Sequence, residues 1–455
     1  MKKMKKMKNR TKIGKLMAGM LMAGSLLMAS CDSYLDIQPV GKVIPNTLAE
    51  HRALLTTVYN TKLMDKSVTE LRTDIAQVNP SSSTSFNTYG EIEIWNDLNP
   101  KAGTREFTWD KYYTNIFYAN AIIDKGEKMT EGSAEDIRQL IGEAHLMRAY
   151  MHFILVNLYG QPYTKAGAPE TKAVPVKWDL DLEAVPVRST VSEVYAAILA
   201  DIESARTLMN REEWEEAYRY RFSTRSVDAL EARVHLYMGN WQAAYDAAQR
   251  VLAQQPALED LNKADSKLPC DYRSAEMITA YELFNDDVTS SLILTPAFIA
   301  TYDASGDLRP AKYFTRSEEG HTISIKSGKA EQKCTFRTGE LYLTAAEAAA
   351  RLNQLPAARQ HLLKLMEKRY NAAGYAAKKK TVEQLPADAL LTEILSERAR
   401  ELAVEGHRWF DLRRTTRERI EKTVKDKRYV LEQDDARYTL RIPQAAIEAN
   451  PGLLN

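Results

Sequence analysis

Apolar residues recur at three- and four-residue spacings through most of this 455-residue chain. That spacing places them on one face of an α-helix, which repeats every 3.6 residues. The pattern predicts helices near residues 47–65, 108–127, 134–158, 190–210, 226–254, 340–370 and 387–404. Polar stretches separate them at 79–104, 160–190 and 255–335, and short β-like runs lie at 174–178, 322–326 and 438–442. The chain is therefore predicted to be mostly α, with a loop-rich face and small β decorations.

Two of the predicted helical hairpins share an internal pattern of small residues. The pattern runs through Ala232, Gly239 and Ala244, followed by Leu252 and Pro256, and again through Ala346, Asn353 and Ala358, followed by Met366. These offsets resemble the tetratricopeptide repeat, in which small residues let two antiparallel helices pack closely. One hairpin cannot bury its apolar face alone, so such repeats are expected to stack as a scaffold first and to offer binding surfaces second. Length alone leaves one domain or two open.

Residues 1–30 are typical of an export signal. Eight Lys or Arg and no acidic residue occupy the start, and an uncharged run follows from 16 to 29. That run is shorter than the roughly 20 residues that span a bilayer. Leu27-Met28-Ala29-Ser30-Cys31 resembles the bacterial lipobox, whose cysteine receives a diacylglycerol and, after cleavage, an acyl chain such as palmitate on its amino group. We therefore predict a cleaved lipoprotein signal peptide with Cys31 as the lipid anchor; a chance cysteine in an ordinary secretory signal is the alternative.

The rest of the chain divides into a tether and a folded region. Residues 31–46 are predicted to form an extended, lipidated tether, because Pro39, Gly41 and Pro45 break any helix. Residues 47–455 are predicted to form the α-helical domain.

Charge argues against nucleic acid as a partner. Removal of residues 1–30 takes away eight of the 62 basic residues and none of the 61 acidic ones, so the mature chain carries a net charge of −7. A protein that binds nucleic acid usually presents a basic surface. Besides Cys31, the chain holds Cys270 and Cys334, which form no disulfide framework; whether they pair is left open.

The sequence carries no recognisable catalytic or cofactor motif. A nucleophile elbow, a P-loop, a dinucleotide fingerprint, a zinc-protease helix and paired C-x-x-C motifs are all missing from it. His145 and His152 share a helix face near Glu143, but no further ligand follows at a metal-binding spacing, so no metal site is predicted. A pair of carboxylates for glycoside hydrolysis is defined by distance in space, and the sequence does not decide it.

Residues 396–414 form the densest charged segment. Glu397 with Arg400, and Arg398 with Glu401, have the spacing of ion pairs on a helix, and Gly406 is predicted to cap the helix end. The buried stripe is predicted to comprise Leu391, Ile394, Leu395 and Leu402. One interpretation is an active site of Arg, His and Glu. The favoured one is a helix that its ion pairs and Trp409 lock against a neighbour.

Five stretches of the chain together resemble the SusD/RagB family of outer-membrane nutrient-binding lipoproteins of the Bacteroidetes. They are the opening Cys31-Asp32-Ser33-Tyr34-Leu35-Asp36-Ile37-Gln38-Pro39, the helix motif Trp109 to Asn120, the next from Gly142-Glu143-Ala144 to Leu158-Tyr159-Gly160, the hairpin Arg337-Thr338-Gly339-Glu340-Leu341-Tyr342-Leu343 with Ala346-Glu347-Ala348, and Glu397-Arg398 to Asp411-Leu412-Arg413. The last of these is the most specific.

The resemblance implies one compact helical domain of tetratricopeptide-like pairs, acting as a lid over a TonB-dependent, SusC-like outer-membrane transporter. Members bind an oligosaccharide or another nutrient without catalysis, so we expect no enzyme and no cofactor. The expected location is the outer membrane, lipid-anchored and facing the exterior, although Asp32 after the anchor is an inner-membrane retention signal in some other bacteria. Two alternatives are a scaffold lipoprotein of an envelope complex with no small ligand, and an envelope glycosidase.

The expected ligand site follows from sugar chemistry and from the resemblance. Sugars present apolar C–H faces and hydroxyl rims, so their sites pair aromatic platforms with amide, Arg or carboxylate groups. Family members use the region around 79–99 for ligand contacts. The predicted ligand-binding residues are Arg72, Asp74, Phe86, Tyr89, Trp95 and Asn96, with Asp97 beside them, and a second candidate region holds Tyr272, Tyr281, Tyr302 and Tyr313. The alternative is that these aromatics pack the core beneath long loops. Trp109 is predicted to be a core residue.

Overall fold

The computed structural model describes residues 45–181, 183–282, 287–326 and 333–454. Within the chain, Thr47–Asn455 forms one compact unit. The predicted signal peptide, the anchor Cys31 and nearly all of the predicted tether lie outside the described residues.

Helices make up most of the described structure, which confirms the predicted mostly α class. The longer ones are α1 Leu48–Tyr59, α2 Ser83–Glu93, α3 Asp110–Lys125, α4 Ala134–Tyr159, α5 Val191–Leu208, α6 Thr224–Met238, α7 Trp241–Gln254, α8 Thr338–Arg351, α9 Leu355–Met366, α10 Ala372–Gln384 and α11 Ala387–Glu401. Shorter helical segments are Asp65–Glu70, Asp287–Ser291, Pro296–Ile299, Arg309–Tyr313, Arg408–Arg414 and Gln444–Ala449. No helix in these described ranges has the length and apolar character needed to cross a membrane.

Local capping sets the start of two of these helices. At α1 the Thr47 side chain accepts a hydrogen bond from the Glu50 amide, and the Glu50 carboxylate accepts one from the Thr47 amide. Thr190 and Glu193 repeat this reciprocal arrangement at α5. Each box satisfies two N–H groups that the helix itself cannot pair, so both helices begin at a defined residue.

The two hairpins that share the small-residue pattern are confirmed. Gly239 (φ +77°) joins α6 to α7, and Asn353 (φ +58°) lies in the turn between α8 and α9, so both turns pass through the left-handed region that Gly and Asn tolerate best. The repeated alanines of both hairpins, Ala232, Ala244, Ala346 and Ala358, are fully buried. Helix α7 packs against α8, which stacks one hairpin on the other.

The largest core surrounds α4, the longest described helix. The helix has 26 residues, and those from Ile137 to Tyr159 are buried with few exceptions. It packs between α3 and α5. A helix that is buried on nearly every side lies inside a layered bundle, and the polar residues of this one, such as Glu143 and Arg148, are paired there. A second cluster lies under the loop-rich part, where Val68, Tyr89, Leu292 and Tyr313 pack together.

Four two-stranded antiparallel sheets decorate the described part of the helical body. The strands are β1 Ala76–Val78, β2 Met277–Thr279, β3 Leu292–Leu294, β4 Phe314–Arg316, β5 Thr322–Ser324, β6 Phe336–Arg337, β7 Ile420–Val424 and β8 Lys427–Leu431, paired β1 with β3, β2 with β6, β4 with β5 and β7 with β8. The expectation of small β decorations is confirmed, and β5 lies within the predicted run 322–326.

Two of the three predicted β runs are wrong. Residues 438–442 form no strand, and in 174–178 the backbone pairs with Ser189 only at its first residue, Val174, which is too short for a strand. The hairpin of β7 and β8 was missed. Its turn residues Lys425 and Asp426 both have positive φ, the geometry of a tight hairpin turn, but they lack the glycine that normally signals it.

The polar stretch 79–104 also differs from expectation, because it contains α2. Ser82 caps this helix by accepting a hydrogen bond from the Ser85 amide at 3.1 Å. Its Ser, Thr, Asn and Gly residues have weak helix propensity, so tertiary packing of Tyr89 and Ile92 sustains the helix.

The two cysteines whose pairing the sequence left open are both free thiols. Cys270 and Cys334 are buried in one small cluster with Met277 and Ala280. Burial, with the nearby Glu405 carboxylate, raises the pKa of the Cys270 thiol to about 12. Both thiols are therefore protonated at neutral pH, and the thiolate needed for disulfide exchange is suppressed.

Candidate functional site

Two adjoining cavities lie between the segment 92–113 and the C-terminal segment 440–453. The aromatic chamber, of about 490 Å³, is lined by Glu106, Phe107, Trp109, Asp110, Tyr113, Pro175, Pro186, Pro443, Ala445, Ala446, Ala449, Asn450 and Leu453. The polar chamber, of about 360 Å³, is lined by Ile92, residues 96–98, residues 100–107, residues 440–444 and Ile447. They share Glu106, Phe107 and Pro443, and we call the two together the groove. Each volume falls in the range of small-molecule sites.

One wall of the aromatic chamber is a pair of neighbouring rings, tilted 41° to each other, at the start of α3. Trp109 and Tyr113 stand four residues apart, so they share one face, and their ring centroids are 5.1 Å apart. Tyr159 packs edge-on against Trp109 at 5.2 Å, and the Tyr113 hydroxyl donates to the carbonyl oxygen of Pro175 at 2.9 Å. Both rings of the pair are half-buried and held in place from behind, so they offer a preformed apolar surface.

Polar groups line the other chamber. Asn96 is oriented by two hydrogen bonds from its amide nitrogen, to Glu91 Oε2 at 2.5 Å and to the carbonyl oxygen of Asn99 at 2.9 Å. Thr104 Oγ1 and Arg105 Nε are buried and find no hydrogen-bond partner among the described residues. Buried polar atoms are nearly always paired, so these two in a cavity wall are available to a water molecule or a polar ligand.

Arg72 and Trp95, both predicted as ligand contacts, lie next to each other in a buried part of the structure. The Arg72 guanidinium is fully buried, donates to both Asp97 carboxylate oxygens at 2.7 and 2.9 Å, and lies 4.8 Å from the centroid of the Trp409 ring. Trp95 is 1% exposed, and its indole N–H donates to the carbonyl oxygen of Arg72 at 2.9 Å. Core packing surrounds the Trp95 ring, so the ring is not open to a ligand in this structure.

The remaining predicted contacts are dispersed. Tyr89 is buried, Phe86 is half-buried with the Lys425 ammonium 3.5 Å from its ring centroid, and Asp74 pairs with Arg408 through two contacts of 2.8 Å. Of the six predicted residues, Asn96 lines the groove and the other five do not. A ligand-binding role for any of the six stays a prediction.

The second candidate region is mostly core. Tyr281, Tyr302 and Tyr313 are buried, and the Tyr302 hydroxyl donates to the carbonyl oxygen of Arg400 at 2.8 Å. Tyr272 is half-buried, with the Arg273 guanidinium 5.3 Å from its ring centroid.

Trp109 was predicted to be a core residue, and Tyr113 was not among the predicted site residues. Trp109 does pack partly against the main core, yet it lines the aromatic chamber. The local signal was present, since two aromatics four residues apart follow directly on a polar stretch. The opposing wall was not foreseeable, because it comes from residues 440–453, more than 300 positions away.

The charged segment 396–414 is built into the protein interior. Glu401 Oε1 accepts from Arg337 at 2.8 Å and from Arg369 at 3.0 Å, and its Oε2 accepts from Arg309 at 3.2 Å. These groups belong to a connected set of buried ion pairs, the ionic cluster, which comprises Glu276, Asp307, Arg309, Lys326, Arg337, Arg369, Glu397, Arg400, Glu401 and Glu405. Every member has an opposite charge beside it, which favours the structural interpretation over an active site.

Two details of that segment differ from expectation. Arg400 pairs with Glu397 at 2.8 Å as predicted, but Arg398 pairs with Asp411 at 2.8 Å and with Glu340 at 3.5 Å rather than with Glu401. Helix α11 ends at Glu401, so Gly406 (φ +73°) lies beyond the helix end rather than capping it. Of the predicted stripe, Ile394 and Leu402 are buried, whereas Leu391 and Leu395 are half-buried.

The histidines near Glu143 each have a partner of their own. His145 Nδ1 lies 2.7 Å from Asp201, and the Glu143 carboxylate accepts from Arg52 at 2.8 and 2.9 Å. Burial lowers the pKa of His152 to about 4, so its imidazole is neutral, and its Nδ1 lies 3.1 Å from the carbonyl oxygen of Arg148. Within the described ranges no group of three or more His, Cys, Asp or Glu could hold a metal ion.

Two known protein families match most of the chain between them. The family described as "Starch-binding associating with outer membrane" matches residues 33–236, and the SusD family matches residues 295–455. The curated SusD-like protein P38 of Formosa agariphila is 26% identical over 396 residues, which cover 71% of this chain and 75% of that protein. SusD-like protein P25 of the same organism is 23% identical over 275 residues, covering 56% of this chain and 50% of that protein.

Solved structures share the fold. A SusD superfamily protein from Bacteroides thetaiotaomicron superposes with a TM-score of 0.75 at 21% identity, over 90% of this chain and 99% of that one. A putative sugar binding protein from Bacteroides vulgatus superposes with a TM-score of 0.74 at 21% identity, over 90% of this chain and 98% of that one. A laminarin binding SusD-like protein superposes with a TM-score of 0.59 at 18% identity, over 81% of this chain and 92% of that one. The two family matches, over residues 33–236 and 295–455, together cover most of the chain, and the chain therefore belongs to the SusD/RagB family.

Proposed function

We propose that this chain is a lipid-anchored, outward-facing outer-membrane protein that binds an oligosaccharide and delivers it to a TonB-dependent transporter. Family membership supports the class of function, and the laminarin binding neighbour supports a glycan as the ligand. The observation that carries the proposal is the groove, where an aromatic wall meets unpaired polar atoms.

The groove suits the two surfaces of a sugar ring. The half-buried faces of Trp109 and Tyr113 match the apolar C–H face of a pyranose, which stacks on aromatic rings. In the adjoining polar chamber, Asn96, Thr104 and Arg105 supply donors and acceptors for hydroxyl groups. The two chambers adjoin through Phe107, so the groove has room for more than one sugar unit.

Loss of the Trp109 ring is expected to weaken glycan binding. The protein lacking residues 1–30 and carrying Cys31→Ala would be titrated calorimetrically with an oligosaccharide panel that includes laminarin fragments. We expect at least one ligand to bind, and Trp109→Ala to weaken it by about 1–2 kcal/mol, roughly ten-fold in Kd, because one stacking surface is removed.

Trp178→Ala is the matched control for this prediction. Trp178 is 47% exposed, carries Arg148 over its ring and does not line the groove, so its removal should leave the affinity unchanged. Equal losses in the two variants, or no binding anywhere in a broad panel, would contradict the proposal. Release of reducing ends by the purified protein would indicate a glycosidase instead.

Delivery to a transporter is tested in the membrane. We expect the full-length chain with a C-terminal tag, solubilised in mild detergent, to co-purify with a TonB-dependent barrel, and protease treatment of intact cells to remove it. The Cys31→Ala chain is the control, because an anchor of two or more acyl chains holds a protein stably at the bilayer. Recovery of envelope assembly proteins alone would favour the scaffold role that the stacked hairpins also suit.

A further inference from the structure

We infer that the aromatic chamber selects sugar units by charge, accepting uncharged and amino-substituted units and rejecting those that carry a carboxylate or a sulfate. The inference rests on the proposed function and names the substrate class of that same site. It depends on which ionisable side chains line the chamber and which of them are already paired.

Two unpaired carboxylates line the aromatic chamber. Glu106 and Asp110 are both exposed, and neither forms an ion pair or a side-chain hydrogen bond with another described residue. They stand on either side of Trp109 in the chain. Besides burial and Asp65, their charges raise the pKa of the Tyr159 hydroxyl, whose ring packs against Trp109. Both carboxylates therefore line the same chamber as the Trp109 ring.

No basic side chain is among the described residues that line the aromatic chamber. The groove's positive charges, Lys101, Arg105 and Arg441, all lie in the polar chamber. Lys101 is already committed to Glu91, with 2.7 Å between its Nζ and the carboxylate. Within the aromatic chamber, Glu106 and Asp110 thus have no basic side chain beside them among the described lining residues.

Sugar chemistry turns this arrangement into selectivity. A carboxylate accepts hydrogen bonds but donates none, so Glu106 and Asp110 can bind hydroxyl or ammonium donors at the edge of a stacked ring. An ammonium group is further attracted by the face of an indole ring. A uronate or sulfate in the same position brings like charges together in a cleft, where repulsion is screened less than on an open surface. Discrimination then comes from repulsion as much as from attraction.

The test is a calorimetric comparison of three hexasaccharides of matched length, built from glucose, from glucosamine and from galacturonic acid. The wild-type protein is expected to bind the glucose or the glucosamine hexamer at least about ten-fold more tightly than the galacturonate hexamer. A higher salt concentration should lower this ratio of affinities, because salt screens the repulsion between the carboxylates and the galacturonate. The double variant Glu106→Gln with Asp110→Asn should bind the glucosamine hexamer more weakly and should lower the same ratio of affinities about ten-fold.

The control carries the same two changes at the other end of α3. Asp124 in its last turn and Glu127 just beyond its end are exposed and do not line the groove, so Asp124→Asn with Glu127→Gln should leave all three affinities unchanged. Preferential binding of the galacturonate hexamer by the wild type, or an unchanged ratio in the Glu106/Asp110 variant, overturns the charge selectivity and leaves the glycan-binding function standing. Failure of all three hexamers and of the wider panel overturns both.

Discussion

Replacement of Glu401 by alanine is expected to lower the free energy of unfolding by about 3–5 kcal/mol, because it breaks a set of buried ion pairs from one side. The Glu401 side chain has no exposed surface and contacts Arg309, Arg337 and Arg369, which are equally buried. The ionic cluster holds as many basic as acidic groups, so the variant leaves an uncompensated positive charge in the interior. Urea unfolding followed by circular dichroism would measure the change.

The matched control is Glu421→Ala. Glu421 lies on β7 and pairs with Arg419 at 2.9 Å and with Arg428 at 2.6 Å, but all three side chains are more than a third exposed. Water and salt screen such pairs, so this change should cost less than about 1 kcal/mol. Similar midpoints for the two variants would contradict the stabilising role assigned to the ionic cluster.

The loss of stability caused by Glu401→Ala should become smaller as the pH falls. Burial alone would raise the pKa of Glu401, but the guanidinium groups of Arg369 and Arg337 hold it well below its ordinary value. A carboxyl whose pKa is depressed by folding stabilises the native state above its unfolded pKa of about 4.3, and that contribution is lost as pH falls toward the folded value. The stability difference between wild type and Glu401→Ala should therefore be full at pH 7 and shrink below about pH 4.

The helices and their hairpins followed from the sequence because their causes are local. Apolar spacing marks each amphipathic face, and the positions of Gly239 and Asn353 match the turns that need a left-handed residue. Helix α2 escaped prediction because its composition disfavours a helix, and only contacts with distant residues sustain it. Arg398 illustrates the same limit, since it passes over the nearby Glu401 to pair with Glu340, 58 positions away.

The candidate site was less predictable than the fold. Sugar chemistry indicated aromatic residues in polar loops, and residues 79–99 met that description. Composition does not reveal which face of a loop aromatic meets the core, however, and Trp95 faces inward while Trp109 borders a cavity. The cavity exists only because the C-terminal segment folds back over the start of α3, a contact between distant parts of the chain that no local pattern encodes.

Trp95→Ala is accordingly expected to destabilise the fold by about 3–5 kcal/mol, rather than to weaken ligand binding selectively. The ring fills a buried space, its N–H pairs with the carbonyl oxygen of Arg72, and the Lys422 ammonium lies 5.6 Å from its ring centroid. Truncation leaves a cavity and an unpaired carbonyl oxygen beside the ion pair of Arg72 and Asp97. The loss would appear as a lower urea midpoint, and Trp178→Ala, which removes an exposed ring, should change the free energy of unfolding by less than about 1 kcal/mol.

A milder variant separates structure from recognition at this position. Trp95→Phe keeps most of the buried volume but removes the N–H donor, so we expect it to cost about 1–3 kcal/mol and to leave a folded protein that can be titrated. If Trp95 acts only through the fold, folded Trp95→Phe binds glycan with wild-type affinity while Trp109→Ala does not. If Trp95→Phe instead keeps wild-type stability but loses affinity for the glycan, Trp95 contacts the ligand. A ring enclosed by the core can lower affinity only by disturbing the packing, and that disturbance would also lower the stability.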